Sequence, residues 1–574
     1  MTKRPNILLF MVDEQRYPTV YDGPVLREWM KTKLVAQTLL RENGVEFHRH
    51  YAQSTACAPS RTSLFTGQYP TLHGVSQTDG MGKTAWDPGM SWLDPNTVPT
   101  MGDWFRAAGY QTHYRGKWHI SHADILVPGT KDSLMTTRDN GTPILENVDI
   151  YRAADRLDDF GFSGWIGPEP HGANKANSGW IRDPRYRDET VALLDALETS
   201  DDDRPFLLVN SFVNPHDIVF FGLTWNVLFG LEYPQAGILP PPPPTHDEDL
   251  CTKPRAQASY VEQYGKMFLP QPQIEMYYRF YYYLQEQVDR YVLDVYNKLQ
   301  GSRFANDTII VFTSDHGDML GAHGGMHQKW YQAYEETIHV PMIFSGPLVT
   351  DKARDEYALT SHADLTPTLL GLAGVDVERA SQQLALSHCE TRPLVGRDLS
   401  KLVLGKGHVE PEPIFFMTYD NVSQGLSQVV GRRQWEAVDS PNQVETVIVE
   451  HKGSLWKYSR YAQCLPTPYD GLIANQNAQA PIDAYNDVEP EYEMYKLLGD
   501  ETEITNLCYP GNETAESIAM RPYLQQLLDE QRRQKCLHPR TKGEKRAGGE
   551  GLSHADVPAF APGPDGRSDA MIQP

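Results

Sequence analysis

Acidic side chains fall in two tight groups, each directly after a short apolar run. Asp13 and Glu14 follow Ile7 to Val12, and Ser314-Asp315-His316-Gly317-Asp318 follows Thr308 to Thr313. Hard divalent cations take several oxygen ligands, so two such groups brought together supply most of a coordination shell. Either pair alone reads slightly better as a cap on the next helix or turn; their combination favours a metal. Cys57 opens the segment Cys57-Ala58-Pro59-Ser60-Arg61, with Gly67 beyond it. Pro59 suits the first turn of a helix and Gly67 its end, which puts Cys57 at a helix N-terminus, where the backbone favours anions. Arg61 follows one turn later on the same face. A nucleophile beside an anion-binding arginine is one reading of this segment, and a buried structural cysteine is the other.

Cationic groups follow other strand-like runs. Lys117 and His119 come after Tyr110 to Tyr114, where alternate residues of an extended chain share a direction. His216 comes after Phe206 to Phe212, and Lys329 stands shortly after the Asp315 group. Taken singly, each is an ordinary solvated lysine or hydrogen-bonded histidine. Together with Arg61 they supply local positive charge in a chain whose 75 Asp+Glu and 52 Lys+Arg give a formal charge of -23. That excess repels phosphate backbones and anionic lipid headgroups, which argues against nucleic acid or a membrane surface as partner. An anionic small substrate needs local cations and a metal to overcome it.

The runs Ile7 to Val12, Phe206 to Phe212, Thr308 to Thr313 and Val340 to Phe344 lie far apart, with amphipathic stretches between them. This alternation predicts an α/β fold with a mixed, mostly parallel central sheet flanked by helices. In such a sheet, ligands gather beyond the carboxyl ends of the strands, where both acidic groups stand. Tyr281 to Leu299 repeats apolar residues at helical spacing, and the tyrosines from Tyr277 to Tyr283 are read as packing for that helix. Pro240 to Pro244 predicts a surface loop. Residues 1–395 are assigned to the catalytic domain and 396–540 to a smaller C-terminal α+β subdomain, with strands near Thr446 to Glu450 and Leu455 to Tyr458 in an antiparallel sheet. Residues 541–574 form a polar tail with too little apolar surface to fold alone, expected at a homo-oligomer interface in a dimer or tetramer. The six cysteines lack CxxC pairing, which fits a reducing, cytoplasmic setting. Ile7 to Val12 is too short for a signal peptide, and no run approaches the roughly 18 apolar residues of a spanning helix.

Cys57-Ala58-Pro59-Ser60-Arg61 with Thr66-Gly67 resembles the signature of the sulfatases, the formylglycine-dependent (type I) members of the alkaline phosphatase superfamily, near arylsulfatases and phosphonate monoester hydrolases. The resemblance continues through Pro5-Asn6-Ile7 and Asp13, Gly116-Lys117-Trp118-His119, Asn214-Pro215-His216, Ser314-Asp315-His316-Gly317-Asp318, Lys329, Tyr334-Glu335-Glu336 and Val340-Pro341. It reaches Tyr495-Lys496-Leu497 and Glu503-Ile504-Thr505-Asn506-Leu507, and so covers about residues 5 to 508. It implies an alkaline-phosphatase-like fold and hydrolysis of small-molecule sulfate monoesters, as in arylsulfatases. Cys57 would be oxidised to formylglycine (3-oxoalanine) by a separate formylglycine-generating enzyme, and the aldehyde hydrate would attack sulfur to give a covalent sulfo-enzyme.

By the same resemblance, Asp13, Glu14, Asp315, His316 and residue 57 hold one divalent metal ion. Calcium is favoured and manganese is the alternative, because His316 stands where many sulfatases carry asparagine. Glu14 replaces a commoner aspartate. Arg61, Lys117 and Lys329 would bind the sulfate oxygens, His216 would protonate the leaving group, and His119 would be the base that expels sulfate. Phosphonate monoester and phosphate diester hydrolases share the fold and site but generally lack the Gly-Lys-Trp-His segment. Also open are a two-zinc phosphatase using His316, His323 and His327, and an unmodified binding protein. Trp86, Trp104, Tyr114 and the loop from Thr78 to Pro99 are candidates for the leaving-group pocket.

Overall fold

The structure is a computed structural model that describes residues 4–540 except 173, 223, 269–273, 431–432 and 464–487. The 541–574 tail, with the oligomer interface expected of it, lies outside the described residues. Strands β1 (Asn6–Asp13), β2 (Gly44–Phe47), β3 (Gln111–Gly116), β4 (Phe206–Pro215), β5 (Thr308–Ser314), β6 (Met342–Ser345) and β7 (Arg354–Glu356) form a seven-stranded sheet in the order β3-β4-β1-β5-β6-β2-β7. β1 is parallel to both neighbours, with Phe10 opposite Asn210 on one side and Phe312 on the other. β6 runs antiparallel to β5 and β2. The run predicted from Val340 therefore becomes the reversed strand of a mostly parallel sheet, and it starts at Met342 because Pro341 has no N–H to give a ladder.

A central parallel strand is covered on both faces, so its side chains alternate between two cores. Ile7, Leu9 and Met11 pack with Leu64 and Phe65 of helix α1 (Cys57–Thr66). Leu8, Phe10 and Val12 point the other way, against Leu194 of α2 (Gly179–Thr199) and Val288, Val292 and Val295 of α3 (Ile274–Gln300). Tyr277, Tyr278, Tyr281 and Tyr282 are buried in an aromatic core, as the helical spacing predicts. Pro240 to Pro244 adopts no helix or strand.

The chain then builds a second sheet from β8 (Ile414–Thr418), β9 (Gln443–His451), β10 (Ser454–Ala462) and β11 (Glu491–Lys496), antiparallel in the order β8-β9-β10-β11. Leu524 and Leu528 of α4 (Ala515–Lys535) cover one face against Phe415, Val447 and Trp456. Among the described residues no helix is long and apolar enough to cross a membrane, and Cys57, Cys251, Cys389, Cys508 and Cys536 form no disulfide with one another.

Candidate active site

The register of the sheet brings the two acidic groups together, because Val12 of β1 pairs with Ser314 of β5. The next residues, Asp13 and Asp315, leave the sheet side by side at the carboxyl ends of their strands. Helix α1 starts opposite them. Its first residue, Cys57, places Sγ 3.6 Å from Asp13 Oδ1 and 3.1 Å from His316 Nε2. Gly67 ends this helix at φ 62, a left-handed conformation that glycine adopts without a Cβ clash, and returns its N–H to Ser63 O. Nδ1 of His316 lies 2.9 Å from Gly317 O. A carbonyl only accepts, so Nδ1 carries the proton and the lone pair of Nε2 faces the cluster.

One ligand atom from each of Asp13, Cys57, Asp315 and His316 lies within 4.8 Å of the others, and all four residues are buried. Asp315 Oδ1 accepts the backbone N–H groups of Glu14 at 3.1 Å and His316 at 3.0 Å. Burial and the neighbouring Asp13 push the Asp315 carboxyl up to about 7. Burial pushes Asp13 the same way, but Lys117, His216 and Arg61 outweigh it and hold that carboxyl well below the usual range. Two carboxylates, an imidazole lone pair and residue 57 converge on one point, and this donor set fits a divalent metal ion. Burial and Asp13 push the Cys57 thiol far up, against the pull of Lys117 and Lys329.

Fixed cations surround the cluster. Arg61 donates from Nε to Asp315 Oδ2 at 2.8 Å, from Nη2 to Asp13 Oδ2 at 3.1 Å, and from Nη1 to Lys117 O and Ser211 Oγ. Lys117 Nζ lies 2.6 Å from Asp13 Oδ2, and Lys329 Nζ lies 3.1 Å from Glu14 Oε2. His216 Nε2 is 3.9 Å from the same Glu14 oxygen. Burial, then Lys117, keeps His216 well below its ordinary value. An anionic ester beside it acts in the opposite direction. Glu14 itself sits at φ 75, in the left-handed region that a non-glycine residue adopts at a cost. Tyr281 Oη holds it there by donating to Glu14 O at 2.7 Å and accepting from Arg16 N at 3.1 Å.

The chain turns sharply after β3. His119 has φ 58, and the Glu169 carboxylate accepts both the Trp118 and His119 backbone N–H groups. Lys117 thus reaches Asp13, whereas the His119 ring meets Asp79 at 2.6 Å.

A family profile described as Sulfatase matches residues 5–375. The chain belongs to the sulfatase family. As a member it is a sulfuric ester hydrolase of the alkaline phosphatase superfamily. It is similar to the choline-sulfatase of Rhizobium meliloti, at 29% identity over 431 residues, 71% of this chain and 73% of that one. Similarity to the arylsulfatase of Clostridium perfringens is 25% over 424 residues, 67% of this chain and 78% of that one. Among solved structures, a 2-O GAG sulfatase shares the fold at TM-score 0.59 and 19% identity, over 93% of each chain. The phosphonate monoester hydrolase of Silicibacter pomeroyi does so at TM-score 0.57 and 18% identity, over 92% of this chain and 96% of that one.

In this sulfatase some expectations from the sequence need correction. Lys117 and His119 do not share a direction, because the strand stops at Gly116 and His119 enters the left-handed region. Arg61 donates to the carboxylates of both Asp13 and Asp315. Trp104 and Tyr114 are core residues; of the proposed pocket aromatics Trp86 is 36% exposed and stacks on His122. His323 bonds to Glu248 at 2.7 Å and stacks on Tyr334, while His327 lies against Tyr264 and Tyr277, so neither joins His316 in a second metal site. Asp79 enters the sequence reading only within the loop from Thr78 to Pro99, and no candidate includes Glu169 or His171. The last two lie in a Pro- and Gly-rich run, Gly167-Pro168-Glu169-Pro170-His171-Gly172, whose concentration of ionisable groups in a turn was the available signal.

Proposed function

We propose that this sulfatase hydrolyses small-molecule sulfate monoesters with a formylglycine at position 57 and a divalent cation held by Asp13, Asp315 and His316, with Glu14 beside them. The observation that carries this reading is the position of Cys57: first residue of a helix, within the ligand cluster, and bracketed by Lys117 on Asp13 and Lys329 on Glu14. When bound, the metal and the hydrated aldehyde supply an activated oxygen nucleophile near neutral pH. A protonated, buried thiol is a poor nucleophile by comparison. The carboxylates suit calcium, and the Nε2 lone pair of His316 is the feature that favours manganese.

The chain's own residues do the rest. Lys117 and Lys329 bring two cations to the sulfate oxygens and offset the charge that grows on them. Arg61 keeps Asp13 and Asp315 in place. His216, at the end of β4 and the most accessible group of the site, delivers a proton to the departing oxygen, and His119 accepts one. The test is a side-by-side rate panel of aryl and alkyl sulfates, phosphate diesters and phosphonates on the metal-loaded protein. Sulfate monoesters should lead in kcat/KM. A lead for phosphonates or phosphate diesters would transfer the chain to the activity named for its structural neighbour from Silicibacter pomeroyi.

A further inference from the structure

Asp79 lies outside the ligand cluster, between two imidazoles. His119 Nε2 is 2.6 Å from Asp79 Oδ1, and His171 Nδ1 is 2.8 Å from Asp79 Oδ2. An ionised carboxylate only accepts, so both rings present an N–H to it. His119 then carries its proton on Nε2. Its Nδ1 is left as a lone pair, buried and without a hydrogen-bond partner. The ring has little freedom to change this, because Glu169 fixes the backbone of Trp118 and His119, and Trp92 lies 5.6 Å from the His119 ring and 5.9 Å from that of His171.

A buried carboxylate between two imidazoles favours a cation on one of them, and the surroundings bear on which ring carries it. Lys117 faces His119 and opposes a charge there, whereas Asp124 and Glu169 face His171 and favour one. Lys83 faces Asp79, and His122 faces His171 from the Trp86 side. Burial takes His119 down to about 4 despite Asp79. Burial also opposes charge on His171, but Asp79 outweighs it and lifts that ring to about 9.

We propose that Asp79 and His171 are positioning residues for His119: Asp79 fixes the tautomer with Nδ1 as acceptor, and His171 supplies the balancing cation that leaves His119 neutral. His119 is thereby ready to take a proton from a reacting oxygen at Nδ1, becoming an imidazolium held by Asp79, and to return it to water. This deepens the function proposed above and rests on it for the source of that proton.

The test has two arms. In the protein with an intact Cys57 thiol, ¹⁵N-histidine NMR, assigned with His119→Gln, reads the tautomer and titration of His119 without any catalysis. The wild-type ring should stay neutral with Nε2–H at neutral and mildly acidic pH. In His171→Gln the whole Asp79 charge falls on His119, which should titrate higher by about one pH unit or more, and His171→Lys should reverse the shift. In the formylglycine-bearing protein the acid limb of the kcat profile should move the same way, and Asp79→Asn should lower kcat by about 10² or more with a smaller change in KM. An unshifted His119 resonance in His171→Gln, or the Nδ1–H tautomer in wild type, would overturn the proposal. If the modified protein hydrolyses no sulfate ester, the functional reading falls, and the NMR arm still decides this one.

Discussion

His316 Nε2 lies 3.1 Å from Cys57 Sγ, with the proton of the imidazole on the far nitrogen, bonded to Gly317 O. A lone pair facing a sulfur that is itself held protonated gains only a weak hydrogen bond. The same lone pair is well placed as a metal ligand once residue 57 offers oxygen, and this contrast motivates the expectations below.

Metal binding should raise the stability of the fold. Any ion that binds the native state alone stabilises it by about 2.7 kcal/mol at a hundredfold excess over its Kd. Thermal melts with calcium and with manganese should show a higher Tm than melts after chelation, and Asp315→Asn should lose most of that rise. Equal melting of chelated and loaded wild-type protein would remove the metal site.

Lys329→Ala should lower kcat on an aryl sulfate by about 10² to 10³, the usual loss for one contact to a developing anion in a dry site. Its Nζ is also the cation beside Glu14 Oε2. Turnover unchanged from wild type would place Lys329 outside the chemistry.

Arg61→Ala should destabilise the protein by about 3–5 kcal/mol, because it leaves two buried carboxylates without their shared partner. Arg61→Lys should recover little, since one ammonium cannot span Asp13 and Asp315 as the guanidinium fork does. Urea unfolding measures both. A loss within about 0.5 kcal/mol for Arg61→Ala would contradict its bridging role.

Several histidines are buried neutral, and each should withdraw stability as pH falls. Burial lowers His73 and His362 to about 3 and His113 to about 4. In His73 the neutral form is pinned by Val75 N–H donating to Nδ1, with Ser63 Oγ at Nε2. Each folded value lies below the unfolded value, so the contribution is complete above about pH 6.5 and lost as pH falls toward 4, at up to about 1.4 kcal/mol per pH unit for each ring. Urea midpoints across that range should show the slope, and His73→Gln should reduce it. A slope in His73→Gln equal to that of wild type would show that this ring is not buried in neutral form.

Much of this site was legible because strand ends are local signals. Asp13-Glu14 and Asp315-His316 were found from apolar runs that stop abruptly, and parallel pairing of β1 with β5 then brings them together without further information. The α1 boundaries likewise follow from Pro59 and Gly67. What the sequence did not reveal depends on contacts across long separations. Nothing near Asp79 announces His171, 92 positions away, and nothing near Lys117 announces the left-handed turn at His119 that a distant Glu169 stabilises. The antiparallel direction of β6 was equally hidden, because a short apolar run carries no sense of direction.

The central claim is that Cys57 matters as the precursor of an aldehyde. Peptide mass spectrometry across Cys57, on preparations with graded exposure to a formylglycine-generating enzyme, reads the converted fraction, and kcat on an aryl sulfate is measured on the same samples. Turnover should rise in proportion to the aldehyde and vanish in the pure thiol form. Full sulfate ester hydrolysis by protein whose Cys57 is entirely unmodified would contradict the account.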